Sequence, residues 1–226
     1  MQVADVIVFL ADLNADFLFE ESMQYLHPST LAALDQITHP LRRKQIIASR
    51  IILKKILSRY MGQAVSLYED EQTGLLVIDK NTSVDTQVRH EANSSYFWSI
   101  SHTAHYIGIA ISRGPIGFDM ERVDGRRRFV DIARFVFHSD ESQIIEQASH
   151  SDDIAKNFFE IWTLREAVYK MTRWGPFERT IPVKTYLQNH QFFFCTKLIE
   201  NNLIYSITSE CSSLHEARMV WLSSLP

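Results

Sequence analysis

Glycine is scarce in this sequence, with 7 among 226 residues, and there are only 6 prolines and 2 cysteines. Neither GxGxxG nor GxxxxGK[ST] occurs, so a phosphate cradle made of glycine-rich backbone is excluded. Cys195 and Cys211 form no CxxC pair, and Cys195 ends the apolar run Phe192-Phe193-Phe194. Both are expected as buried thiols in a reducing compartment. The nine histidines contain no HxH or HExxH spacing, which removes the common histidine metal sites. No apolar run approaches the roughly 18 residues that span a bilayer. The start, Met1-Gln2-Val3-Ala4-Asp5, lacks the basic residues of a signal peptide, so a cytoplasmic location is expected. A formal net charge of −4 gives the whole molecule no attraction for nucleic acid or an anionic membrane, and any anion site must be local.

What is present is an ordinary globular composition, 46% hydrophobic and 22% charged, long enough for one large domain or two smaller ones. Val6 to Leu10 reads as a strand. Thr38-His39-Pro40 reads as a helix start, with the helix running to about Tyr60 before Gly62. Tyr96 to Ser101 and Tyr106 to Ser112 read as paired strands, and Ile116 to Val123 as another. Gly114-Pro115 between them marks the expected division into halves, 1–113 and 114–226. Ser151-Asp152-Asp153 offers an N-cap with acidic residues behind it, and Gly175-Pro176 a stop, so a helix is predicted over about Asp152 to Trp174. Strand-like runs follow near Thr185 to Leu198, Leu203 to Thr208 and Ala217 to Leu222, with Asn201-Asn202 as a hairpin turn. Each half would hold a long helix against antiparallel strands, an α+β arrangement.

On a strand, Asp119 and Glu121 of Gly117-Phe118-Asp119-Met120-Glu121 share one face, and Phe118 and Met120 turn to the other. Neighbouring carboxylates raise each other's pKa unless a cation lies between them, and hard oxygen donors suit Mg²⁺ or Mn²⁺. A solvated strand face is the bland alternative, since Gly-x-Asp-x-Glu arises by chance in about 5% of chains this long. On the long helix, Phe158, Ile161, Trp162, Val168 and Tyr169 form an apolar stripe with Arg165 in its middle, where it needs an anionic partner. Glu166 and Lys170 lie together along the stripe's edge. On the earlier helix Arg43, Arg50 and Lys54 border a stripe of Ile46, Leu53 and Leu57 and would hold a phosphate, although Lys54 equally suits a place with its stem on apolar surface. Ser101-His102 ends a strand. A nucleophile pair is disfavoured there, because neighbours on a strand point to opposite faces, and hydrogen bonding to an anion fits better.

Taken in order, Ser101-His102, Gly117-Phe118-Asp119-Met120-Glu121 and Trp162-Thr163-Leu164-Arg165-Glu166-Ala167-Val168-Tyr169-Lys170 resemble the 4'-phosphopantetheinyl transferases, specifically the surfactin-synthetase-activating type, whose pattern is SH, GxDxE, WxxKEAxxK. The resemblance covers roughly Pro40 to Gly175. It implies a pseudo-dimer of two similar α+β halves with the active site in the cleft between them, the N-terminal half gripping the 3'-phosphate of coenzyme A and the C-terminal half carrying the metal. It makes Asp119, Glu121 and Glu166 the metal site, puts Lys170 on the pyrophosphate and Ser101 and His102 on phosphates, and assigns Arg43 and Arg50 to the 3'-phosphate. Arg165 stands where the family usually has lysine, keeping the charge but imposing a planar fork. Of the Gly-Lys-Pro near the adenine in relatives, only Gly74 is retained.

The activity so implied is Mg²⁺-dependent transfer of the 4'-phosphopantetheine group of coenzyme A to a serine of an apo acyl or peptidyl carrier protein, releasing adenosine 3',5'-bisphosphate. Catalytic roles fall on Glu166, Lys170 and Asp119, with Arg165 beside Lys170 on the phosphate oxygens. A monomer is expected. The alternatives are a non-catalytic protein that binds coenzyme A or a nucleotide, and a metal-dependent phosphohydrolase that uses the Asp/Glu pair to activate water.

Overall fold

The structure, a computed structural model, describes residues 6–14, 23–69, 76–78, 96–125, 127–175, 178–212, 214 and 217–222. It is a mixed α+β fold. Among the described residues nine strands run in chain order as β1 (Val6–Asp12), β2 (Leu67–Glu69), β3 (Leu76–Ile78), β4 (Phe97–Thr103), β5 (Tyr106–Ser112), β6 (Ile116–Arg122), β7 (Phe193–Ile199), β8 (Leu203–Ser209) and β9 (Arg218–Leu222). The α-helices are α1 (Pro28–Leu34), α2 (Pro40–Met61), α3 (Phe129–Val136), α4 (Ser139–Glu146), α5 (Ser151–Thr172) and α6 (Val183–Asn189). Among the described residues the sheets are β4-β5-β1-β9, β2-β3 and β6-β8-β7. No described helix is long and apolar enough to cross a membrane.

The chain forms two compact units. One comprises Met1–Phe9, Tyr96–Ala104 and Gly108–Val220, and the other Leu10–Ser95, His105–Ile107 and Trp221–Pro226. This division differs from the one expected at residue 113/114. The physical reason is that β4 is fastened to β6 by side-chain hydroxyls, which carries it into the unit of the later strands.

In that first unit the antiparallel β6-β8-β7 sheet lies against α5. Its register pairs Asp119 with Ser206 on β8, and Ser206 with Thr196 on β7, so these residues share one face. The Ser206 hydroxyl meets Thr196 on its own sheet and Thr163 on α5, both at 2.8 Å, which fixes the helix over the sheet. Gly117 allows the closest approach: a Cβ there would lie 1.9 Å from the Ala167 carbonyl oxygen. Phe118 and Met120 point the other way and are fully buried. Beyond the sheet, Phe129, Phe137, Phe158 and Phe159 form an aromatic core, with Trp162 stacked on Phe158 at 11° between planes. Burying a side chain of this size contributes about 1.5–3 kcal/mol.

Three local expectations need correction. His150, not Ser151, is the N-cap of α5. The same helix ends because Arg173 turns left-handed at φ 65°, two residues before Gly175. The run near Thr185 to Leu198 is not one strand: Val183–Asn189 is helix α6, in which Pro182 caps and Val183 and Leu187, one turn apart, are buried. Asn201 and Asn202, both at positive φ, make the β7–β8 hairpin turn as expected.

The second unit is built around α2. His39 caps it by accepting the Arg42 N–H, Pro40 opens it, and Gly62 closes it at φ 69°. Its buried residues, Ile47, Ile51, Ile52, Leu53, Ile56 and Leu57 among them, cover more of its circumference than the narrow stripe expected, and Ile46 is only half-buried.

Candidate active site

Asp119 and Glu121 project from β6 on the face covered by α5, and their surroundings differ sharply. Asp119 is 5% exposed. Its Oδ1 accepts from the Ser101 hydroxyl at 2.8 Å and from the Lys170 ammonium at 2.7 Å. Its Oδ2 is buried with no hydrogen-bond partner among the described residues. A buried carboxylate oxygen left bare is costly, and a bound cation is the simplest group to complete it. Glu121 accepts from the Thr103 hydroxyl at 2.7 Å. Burial pushes its pKa up to about 7, with Thr103, Lys170 and Arg127 opposing and Asp119 adding to the rise. Glu166 is raised as well, first by burial and then by the charge of Asp119. Hard carboxylate oxygens short of positive charge are the donor set that Mg²⁺ or Mn²⁺ takes. As the chain stands, no three His, Cys, Asp or Glu side chains among the described residues lie together closely enough to hold a metal ion.

Lys170 is engaged on all its donors. Its ammonium binds the Ile100 and Phe118 carbonyls, each at 3.1 Å, as well as Asp119, so it ties α5 to β4 and β6. The expectation that it grips a pyrophosphate meets a cation already saturated by protein acceptors. Ser101 is 4% exposed, and its hydroxyl accepts the Met120 N–H at 3.2 Å while donating to Asp119. It supports the carboxylate, where a phosphate contact was expected. His102, next along β4, points to the opposite face of the strand and is half-buried.

Arg165 has the anionic partner its position demanded, and that partner is not a phosphate. It is fully buried, and its Nε and Nη2 both meet Glu141 Oε2, while Nη1 donates to the Glu178 carbonyl at 2.6 Å. Glu141, 4% exposed, also accepts the Val183 N–H at 2.8 Å through Oε1 and the His138 N–H at 3.2 Å, completing the N-terminal cap of α4. The guanidinium lies 5.5 Å from the Phe137 ring centre and 5.4 Å from that of Trp174. The planar fork therefore joins α4, α5 and the start of α6, and Arg165 is bound within the protein where a contact with coenzyme A was expected.

Arg43 and Arg50 belong to the second unit. Arg43 donates to the Leu34 carbonyl, and Arg50 pairs with Glu69 and donates to Ser49 at 3.2 Å. Lys54 reaches the Tyr25 carbonyl at 2.9 Å. The pKa of Arg42 on the same helix is lowered by burial and then by Arg50, with Glu69 opposing, and Arg42 was not singled out from the sequence. Gly74 lies outside the described residues.

A cavity of about 610 Å³ in the first unit is lined by Glu121, Phe158, Phe159 and Trp162 together with Arg122 and Arg127. Arg127 and Thr103, both in its lining, were not singled out from the sequence. Thr103 was legible in principle, since Ser99, Ser101 and Thr103 recur every second residue along one strand. Cys195 and Cys211 are not joined in a disulfide, and both are half-buried where full burial was expected.

Residues 115–199 match the profile of the 4'-phosphopantetheinyl transferase superfamily. The resemblance carried by the motifs holds. The matched segment contains Asp119, Glu121, Glu166 and Lys170. The chain is 29% identical over 89 residues to the 4'-phosphopantetheinyl transferase gsp of Aneurinibacillus migulanus, covering 39% of this chain and 35% of that protein. It is 31% identical over 78 residues to a 4'-phosphopantetheinyl transferase of Bacillus subtilis, covering 34% of each. The similarity thus spans about a third of the length of these phosphopantetheinyl transferases.

Proposed function

We propose that this protein is a 4'-phosphopantetheinyl transferase that moves the phosphopantetheine arm of coenzyme A to a serine hydroxyl of an apo carrier protein. The observation that carries this reading is the buried Oδ2 of Asp119, which has no hydrogen-bond partner among the described residues, in a segment that matches the superfamily and also holds Glu121 and Glu166, both raised by burial. The pseudo-dimer belongs to the same reading.

Asp119, Glu121 and Glu166, which form no closed cluster as the chain stands, would draw together to hold Mg²⁺ or Mn²⁺, which when bound supplies charge neutralisation for the pyrophosphate. The chain's own groups do the rest. Ser101 and Lys170 keep the Asp119 carboxylate fixed, and Thr103 does the fixing for Glu121. Glu166, whose carboxyl burial pushes above its ordinary value, takes the proton of the carrier serine. The serine oxygen forms a bond to the β-phosphorus of coenzyme A. The bond from that phosphorus to the bridging oxygen breaks, and adenosine 3',5'-bisphosphate departs with the electron pair. Arg42, Arg43 and Arg50 are the cations proposed for the 3'-phosphate, and His102 for a phosphate oxygen.

Incubation with coenzyme A, Mg²⁺ and a panel of apo acyl and peptidyl carriers, followed by mass spectrometry of the carrier, should show addition of one phosphopantetheine. Asp119→Ala should remove it, as should chelation of the metal. Release of free phosphopantetheine without acceptor, or normal modification by the alanine variant, would overturn the proposal.

A further inference from the structure

β4 and β6 are joined by side chains in place of a backbone ladder. The hydroxyls of Ser99, Ser101 and Thr103 accept the N–H groups of Phe118, Met120 and Arg122 at 3.0, 3.2 and 3.1 Å. Each hydroxyl has one proton to give, and the three rungs use it differently. Ser99 returns it to the Phe118 carbonyl at 3.3 Å, closing a purely structural rung. Ser101 gives it to Asp119 and Thr103 to Glu121.

We infer that Thr103 is a positioning residue for the metal site: its hydroxyl, aimed by the Arg122 N–H, holds the Glu121 carboxylate where a divalent cation takes it. Asp119 has an ammonium to orient it as well, whereas a neutral donor holds Glu121. A neutral donor aligns a carboxylate without the positive charge that would compete with a metal. Threonine suits the task because its branched Cβ stiffens χ1, and its oxygen is already pinned from one side. It is buried at 9% exposure, so the hydroxyl is little contested by water. The flexible glutamate would otherwise sample several rotamers, and freezing them on metal binding would weaken affinity. The inference rests on the reading that Asp119 and Glu121 bind a divalent cation.

The test is direct Mn²⁺ binding, read from the electron paramagnetic resonance signal of free aquo-Mn²⁺ at fixed pH, with thermal unfolding recorded without metal. Thr103→Val should weaken Mn²⁺ binding at least about tenfold, and Thr103→Ser should restore it to within about twofold of the parent, the scale of an outer-shell hydrogen bond. Ser99→Ala, which removes a rung that touches no carboxylate, should lower the unfolding temperature and leave Mn²⁺ affinity unchanged. Should valine at 103 not fold, Thr103→Ala serves in the same comparison. Undiminished binding in the Thr103 variants, with binding lost in Asp119→Ala, would overturn this inference alone. Undiminished binding in Asp119→Ala would overturn the cation reading and this inference together.

Discussion

Two carboxylates two residues apart can differ more in energy than two far apart, because burial and partners act on each separately. Asp119 has a hydroxyl and an ammonium on one oxygen, while Glu121 has a hydroxyl and is otherwise pushed up to about 7 by burial. The folded protein thus retains a proton on Glu121 that the unfolded chain releases near pH 4.5. With more protons bound in the native state, stability falls as pH rises, by no more than about 3 kcal/mol between roughly pH 4.5 and 7. Melting temperatures measured with chelator across that range should decline. Glu121→Gln should remove most of the decline, leaving the smaller share of Glu166, which is raised in the same direction. An unchanged slope in that variant would show that another group sets it. Added Mg²⁺ should oppose the decline increasingly as pH rises, since it binds the ionised carboxylate. Arg165 shows the converse case: its charge is matched inside the fold by Glu141, and removing either partner of such a buried pair typically costs about 3–5 kcal/mol.

At the scale of elements, the site depends on how closely α5 can approach β6. That distance is set by Gly117, where any Cβ would meet the Ala167 carbonyl, a backbone atom that cannot rotate away. Gly117→Ala should therefore destabilise by about 3 kcal/mol, at the upper end for overpacking, in a urea titration. Little change in midpoint would mean that helix and sheet can separate without loss. The long helices were legible because caps and apolar spacing agree over many residues. Helix α6 was not, because its seven residues are too few for periodicity to separate a helix from a strand, and its burial is settled by Leu164 and Val168 of α5.

At the scale of the molecule, the segment that matches the superfamily is not a folding unit. It stops at residue 199, whereas β8, the middle strand of β6-β8-β7, runs from Leu203 to Ser209, and the hydroxyls that fasten β6 come from β4. A chain truncated after Ile199 would leave β6 and β7 without their shared partner. It should lack a cooperative thermal transition by circular dichroism, and a sharp transition like that of the full chain would refute this. The sequence by itself determined the α+β class and most element positions and singled out Asp119, Glu121, Glu166 and Lys170 as candidates, because strand and helix periods are local and chemistry-bearing residues stand out by type. Only the tertiary structure decided what each group faces. Glu141 reaches Arg165 across 24 residues, Ser101 and Thr103 reach carboxylates 18 residues away, and Lys170 is drawn onto Asp119 from 51. Pairings over such distances are fixed by packing and desolvation, which no local pattern encodes.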